Sequence, residues 1–138
     1  MPNRSIEQKG TWHVIPENLR YTAEHEWISE PRDGVVRVGI TDYAQAALGD
    51  IVFVQLPEPG KVVTAGEVIG EVESTKSVSD IFAPLSGTVA ARNETLDDTP
   101  DTINTSPYEE GWMLDIECED LADVSGLLDA EAYAKLTE

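Results

Sequence analysis

Between Val35 and Ala91 short runs of β-branched residues alternate closely with Gly- and Pro-bearing turns, and this spacing limits the chain to a small set of folds. Val35-Val36-Arg37-Val38-Gly39-Ile40 puts Val36, Val38 and Ile40 on one face, the period of a half-buried strand. Thr41 can cap a short helix over residues 42–48, with Asp42 favourable in its first turn and Gly49 as its stop. Residues 51–56, Ile-Val-Phe-Val-Gln-Leu, are nearly all apolar and are expected to form a central strand. Pro57-Glu58-Pro59-Gly60 reads as a turn. Lys61-Val62-Val63, Glu67 to Glu73, Val78 to Ala83 and Thr88 to Ala91 follow as short strands, broken at Ala65-Gly66 and Pro84-Leu85-Ser86-Gly87. The pattern points to a small all-β sandwich or barrel.

The rest of the chain adds a frame. Residues 93–111 form a polar connection, with a helical turn expected at Thr99-Pro100. Residues 111–117 read as a strand with Trp112, Leu114 and Ile116 inward and Asp115 and Glu117 outward. Two short helices are expected to close the chain, one near residues 121–128 and one over 130–136 capped by Asp129. Residues 1–16 have no apolar core for a signal peptide and too little basic amphipathic length for a good transit peptide. They are read as an N-terminal extension without fixed structure, ahead of a single domain over 17–138.

Charge excludes whole classes of function. The chain has 27 acids, 9 Lys+Arg and a net charge of −18, and residues 1–20 are net +1, so the acidity lies beyond them. Nucleic acid is excluded as a partner because phosphate binding needs clustered Lys and Arg, and an anionic membrane surface is disfavoured for the same reason. An acidic face suits either solubility alone or partners with basic rims. No apolar run reaches membrane-spanning length. The lone Cys118 cannot form an intramolecular disulfide, which suggests a reducing compartment, and Glu117 and Glu119 beside it disfavour a reactive thiolate. One Cys with His13 and His25 makes no zinc set. Adjacent Asp97 and Asp98 in a polar connection do not suit a glycosidase pair. Ser74-Thr75 lacks the Gly-rich loop and helix of a phosphate site.

Lys76 stands out against this background as the only basic residue from Val62 to Ala91. Strand-like residues lie on both sides of it, and Ser74, Thr75 and Ser77 form a small polar tip. Gly66 and Gly87 flank it almost evenly, as two paired strands with a turn at each base would require. A lone amine on a hairpin tip is open to a large enzyme's active site and suits acylation. An ordinary exposed lysine on a β-turn has the same spacing, and the wording of the motif separates the two.

Glu73-Ser74-Thr75-Lys76-Ser77-Val78-Ser79-Asp80 resembles the lipoylation site of the glycine cleavage system H protein family. Residues 21–27 (Tyr-Thr-Ala-Glu-His-Glu-Trp), 38–45 and 48–54 look like that family's opening segments. Ala83-Pro84-Leu85-Ser86-Gly87, Asn104-Thr105-Ser106-Pro107-Tyr108 and Gly111-Trp112 follow in its order, and residues 128–133 resemble its C-terminal helix. The resemblance covers about residues 16–138. Biotinyl sites, the nearest rival, usually have methionines flanking the lysine, where this chain has Thr75 and Ser77.

The resemblance implies a mainly β fold, a small lipoyl/biotinyl-type sandwich or flattened barrel with short helices and a C-terminal helix. It implies a carrier without turnover of its own, bearing lipoate in amide linkage on Lys76. In that family the pyridoxal-phosphate-dependent P protein (glycine decarboxylase) loads an aminomethyl group. The T protein (aminomethyltransferase) passes the one-carbon unit to tetrahydrofolate, and dihydrolipoyl dehydrogenase takes the electrons to NAD. Lipoate-attaching enzymes are the remaining partners, and a monomer is expected, cytoplasmic in a bacterium or in the mitochondrial matrix of a eukaryote. Glu26 and Asp80 match acidic positions that shelter the aminomethyl amine in the family, and His25 adjoins Glu26 as a further pocket candidate. Some relatives carry a histidine where this chain has Ala47. A second role fits the same residues: an H-like lipoyl donor that relays lipoate to other enzymes.

Overall fold

The computed structural model describes residues 5–8 and 11–137, with side chains from Val14 onward. Its strands are β1 (Ser5–Gln8), β2 (Thr11–Pro16), β3 (Arg20–Tyr21), β4 (Glu26–Ile28), β5 (Val35–Ile40), β6 (Ile51–Gln55), β7 (Val62–Val63), β8 (Val68–Ser74), β9 (Val78–Phe82), β10 (Gly87–Arg92) and β11 (Leu114–Cys118). Short helices α1 (Asp42–Leu48), α2 (Thr95–Asp98), α3 (Thr102–Thr105), α4 (Ala122–Ser125) and α5 (Ala130–Leu136) fill the connections. Among the described residues, no helix is long and apolar enough to cross a membrane.

Two antiparallel sheets face each other. A six-stranded sheet runs β3-β4-β5-β11-β10-β7, and a three-stranded sheet runs β6-β8-β9. Period-two alternation decides what lies between them. Val36, Val38 and Ile40 of β5, Leu114 and Ile116 of β11 and Val89 of β10 meet Ile51 and Val54 of β6, Ile69 and Val72 of β8 and Ile81 of β9 in one buried cluster. Leu96 and Ile103 join it from α2 and α3, so the polar connection contributes one core residue per helical turn. The fold is the mainly β sandwich with short helices and a C-terminal helix that the sequence suggested.

Local chemistry sets the element ends. The Thr41 hydroxyl accepts from the Ala44 N–H at 3.2 Å and caps α1, and Gly49 ends it with φ 86°. Asp129 caps α5 by accepting from the Ala132 N–H at 2.9 Å.

Three expectations change. The apolar strand β6 is an edge strand, not a central one. A register shift between Ile51 and Phe53 turns Val52 and Phe53 outward, so an apolar run here does not mean burial on both faces. The strand expected from Gly111 begins at Leu114, leaving Trp112 half-buried beneath the Arg37 guanidinium, 3.9 Å from its ring. The helix expected over 121–128 is the single turn α4.

The described part of the N-terminal extension holds two strands. β1 and β2 pair antiparallel, β2 being built on Trp12, Val14 and Ile15, which favour strands. Ile15 is buried with Leu19, Tyr21, Trp27 and Tyr133 in a second cluster. The Val14 N–H donates to Asp42 at 3.0 Å, and the Tyr108 hydroxyl donates to the Val14 carbonyl.

Candidate functional site

Lys76 lies between β8 and β9, at the tip of a hairpin whose strands pair from Val68↔Phe82 to Glu73↔Val78. Ser74 shapes the tip. Its buried hydroxyl accepts from the Lys76 N–H at 3.3 Å and the Ser77 N–H at 3.1 Å, while the Ser74 N–H donates to the Ser77 carbonyl at 2.8 Å. These bonds hold the turn in one shape and leave the Lys76 side chain exposed.

The tip rests on the turn between α1 and β6. The Thr75 N–H donates to the Asp50 carbonyl at 3.0 Å. The Lys76 stem crosses Gly49 so closely that a Cβ there would lie 3.3 Å from its Cε. Asn104 pins the same turn, donating to the Gly49 carbonyl and the Gln45 amide oxygen and accepting from the Ile51 N–H, each at 2.9 Å. The sequence offered Asn104 only as part of a family segment. Its role here follows from α3, which sets its side chain against the α1–β6 turn. Among the described residues the Lys76 amine takes no ion pair.

The three pocket candidates have separate surroundings. Asp80 is exposed on the outward face of β9, directly across from Glu71. His25 has a left-handed backbone, φ 68°, and its Nδ1 lies 2.8 Å from the Tyr133 hydroxyl, with its ring stacked on Tyr43 at 4.6 Å. Burial lowers its pKa, with Glu24 opposing. The Tyr133 hydroxyl also meets the Thr41 hydroxyl at 2.8 Å, so His25 belongs to a network that joins α5 to the start of α1. Glu26 is buried, one oxygen accepting from the Phe82 N–H at 2.8 Å and the other from the Thr22 hydroxyl at 3.2 Å. It therefore ties β4 to the base of the lysine hairpin. Among the described residues, no hydrogen bond or ion pair joins Asp80 to Glu26, His25 or Lys76.

Glu26 has a measurable signature. Burial pushes its carboxyl from 4.5 up to about 7, against the Phe82 and Thr22 hydrogen bonds and with some help from Glu24. An acid whose pKa is higher in the folded state holds its proton more tightly there than in the unfolded chain. This contribution to stability is thus fully present below about 4.5 and is lost as pH rises to about 7. The span amounts to about 3 kcal/mol. Glu26→Gln keeps an acceptor for Phe82 and removes the ionisation. Denaturant melts across that range should show a flatter pH dependence for the variant and a gain of roughly 2 kcal/mol at pH 8. An unaltered slope would assign the pH dependence to other groups.

Comparison with known proteins gives the family. The sequence profile of the glycine cleavage H-protein family matches residues 19–138. A glycine cleavage system H protein from Micrococcus luteus is 62% identical over 124 residues, covering 89% of this chain and 97% of the relative. One from Mycobacterium bovis (strain BCG / Pasteur 1173P2) is 61% identical over 132 residues, covering 90% and 98%. The crystal structure of a glycine cleavage system H protein from Mycobacterium marinum superposes with a TM-score of 0.82 at 50% identity, over 89% of this chain and 98% of that one. With the profile spanning nearly all of the sandwich and the relatives aligned along almost their whole length, the chain belongs to the glycine cleavage H-protein family.

Proposed function

We propose that the chain is the lipoyl-bearing carrier of the glycine cleavage system. Lipoate is held in amide linkage on Lys76; the carrier takes an aminomethyl group from the P protein to the T protein and electrons to dihydrolipoyl dehydrogenase. The observation that supports this most is the lysine itself: exposed, without an ion pair among the described residues, on a hairpin tip braced by Ser74 and Asp50. The small side chains around it leave room for an acyl arm on its amine. When bound, lipoate supplies a disulfide that opens to two thiols, able to hold a group and two electrons.

The protein's part is presentation. Ser74 and the Thr75–Asp50 bond fix the direction in which the lysine leaves the sheet, and Gly49 gives its stem a flat bed. A tether on a rigid base keeps its end at high local concentration once a partner docks. Of the acidic candidates, Asp80 is the one whose carboxylate faces solvent, on the strand that follows Lys76, where it can meet a protonated amine. We assign Glu26 and His25 to holding the walls behind the hairpin, through Phe82 and Tyr133. The carrier unit is taken as residues 17–138 with 1–16 as its extension. The bacterial source of the relatives favours a cytoplasmic location and the lipoate-attaching enzymes found there.

Intact-mass spectrometry after co-expression with a lipoate ligase tests this. One lipoyl addition per chain is expected. A biotinyl addition, or an unmodified chain beside a fully modified control carrier, would overturn the assignment.

A further inference from the structure

The outward face of the β6-β8-β9 sheet carries features that presentation of the lysine does not need. Strand register places Phe53, Glu73 and Val78 in one row across the three strands, the row next to the Lys76 tip. Gln55, Glu71 and Asp80 form the next row. Phe53 is 53% exposed and Val78 58% exposed, although each sits on a strand beside a well-filled core. A phenylalanine and a valine on either side of one glutamate stem make an apolar patch that water alone does not favour.

The charges around the patch are one-sided. These two rows hold three carboxylates and no lysine or arginine. Glu71 lies directly opposite Asp80, an arrangement that opposes strand pairing. Among the described residues none of the three carboxylates takes an ion pair. A covering surface with apolar groups at its centre and Lys or Arg at its rim complements both features.

Resting on the carrier reading above, we propose that this face docks the enzyme that acylates Lys76, with Phe53 and Val78 as its anchors and Glu71 steering a basic rim. Reach decides among the partners. The acylating enzyme must bring an activated lipoyl ester to the amine at the end of a bare lysine side chain. There the nitrogen lone pair attacks the acyl carbon, the C–N bond forms as the bond to the leaving group breaks, and the nitrogen gives up a proton. That enzyme must lie against the tip and therefore against the row beside it. Enzymes served by the finished arm act from farther away and need less of this row.

The test uses the full-length unmodified protein with a purified lipoate ligase, lipoate and ATP. Phe53→Thr/Val78→Thr keeps strand-forming residues on a solvent face, so its thermal melt should match the parent. We expect its KM for acylation, and its Kd for the ligase by calorimetry, to rise by about tenfold or more. The maximal rate should hold. Val62→Thr, an exposed apolar change on β7 of the other sheet, should leave both constants unchanged. Glu71→Gln, an independent variant, should flatten the salt dependence of KM. Parental constants in the folded double variant, or an unaltered salt slope in Glu71→Gln, would overturn the docking face while leaving the carrier reading intact. Failure of the parent itself to be lipoylated would overturn both.

Discussion

Lys76→Arg should abolish lipoyl attachment and leave the fold as it is. Arginine keeps the positive charge and a similar stem, but its guanidinium stays protonated at any working pH and offers no free amine lone pair for acylation. The contacts that shape the tip run through the backbone and through Ser74, so they survive the change. Since Lys76 is exposed and takes no ion pair among the described residues, stability should shift by less than about 0.5 kcal/mol. Among the described residues, neither other lysine lies on this hairpin. Lys61 lies just before β7 with its amine 4.0 Å from Glu67, and Lys135 sits on α5. Co-expression with a ligase should therefore give an unmodified variant with a parental melting curve. A lipoyl group on the variant would place the attachment point elsewhere.

Gly87→Val, by contrast, should destroy the fold. Gly87 opens β10 and pairs with both Val63 and Cys118, so backbone closes on it from two sides. A Cβ at this position would stand 2.1 Å from the Glu117 carbonyl oxygen, and main chain cannot yield as a flexible side chain would. Relief requires opening the β10–β11 pairing, where Val89, Leu114 and Ile116 are buried. We expect a loss of at least about 4 kcal/mol, read as insoluble expression or as the absence of a cooperative transition in urea. Gly66→Ala is the informative contrast. That glycine has φ 86° and open space around its missing side chain, so only backbone strain applies and the cost should be about 1 kcal/mol. Equal stability of the two variants would contradict the crowding at Gly87.

These two glycines show how far the sequence could be read. Their even spacing about Lys76 correctly marked a hairpin, yet only Gly66 is there for a turn. Gly87 is there because another strand's carbonyl passes over it, and no local pattern announces such a non-local approach. The same division runs through the fold. β5, α1 and α5 were legible because alternation, Thr41, Gly49 and Asp129 act within a few residues of themselves. The edge position of β6 was not, because what exposes Phe53 is its single neighbour β8 and a register shift. In the site, Lys76 was legible as the lone amine of its segment. Glu26, His25 and Asp80 were recognised by position in a family pattern, which says nothing of where their side chains end. Glu26 is taken up by Phe82 and Thr22, and His25 by Tyr133, through contacts distant in sequence. The role of Asn104 was not legible for the same reason.

The acidity reads differently once it is placed on the fold. Asp115 is paired with Arg37, and Asp97 with Arg92, so part of the charge neutralises cations on the surface. Glu71, Glu73 and Asp80 are the carboxylates beside the hairpin tip and take no such partner among the described residues.

Glycine-dependent NADH formation, measured with P protein, T protein, dihydrolipoyl dehydrogenase and tetrahydrofolate while the lipoylated chain is titrated in, tests the carrier account most directly. The rate should rise from background and saturate with the chain as a substrate would, and the Lys76→Arg protein should add nothing. Equal rates with the parent and with Lys76→Arg, or no response to the lipoylated parent, would contradict it.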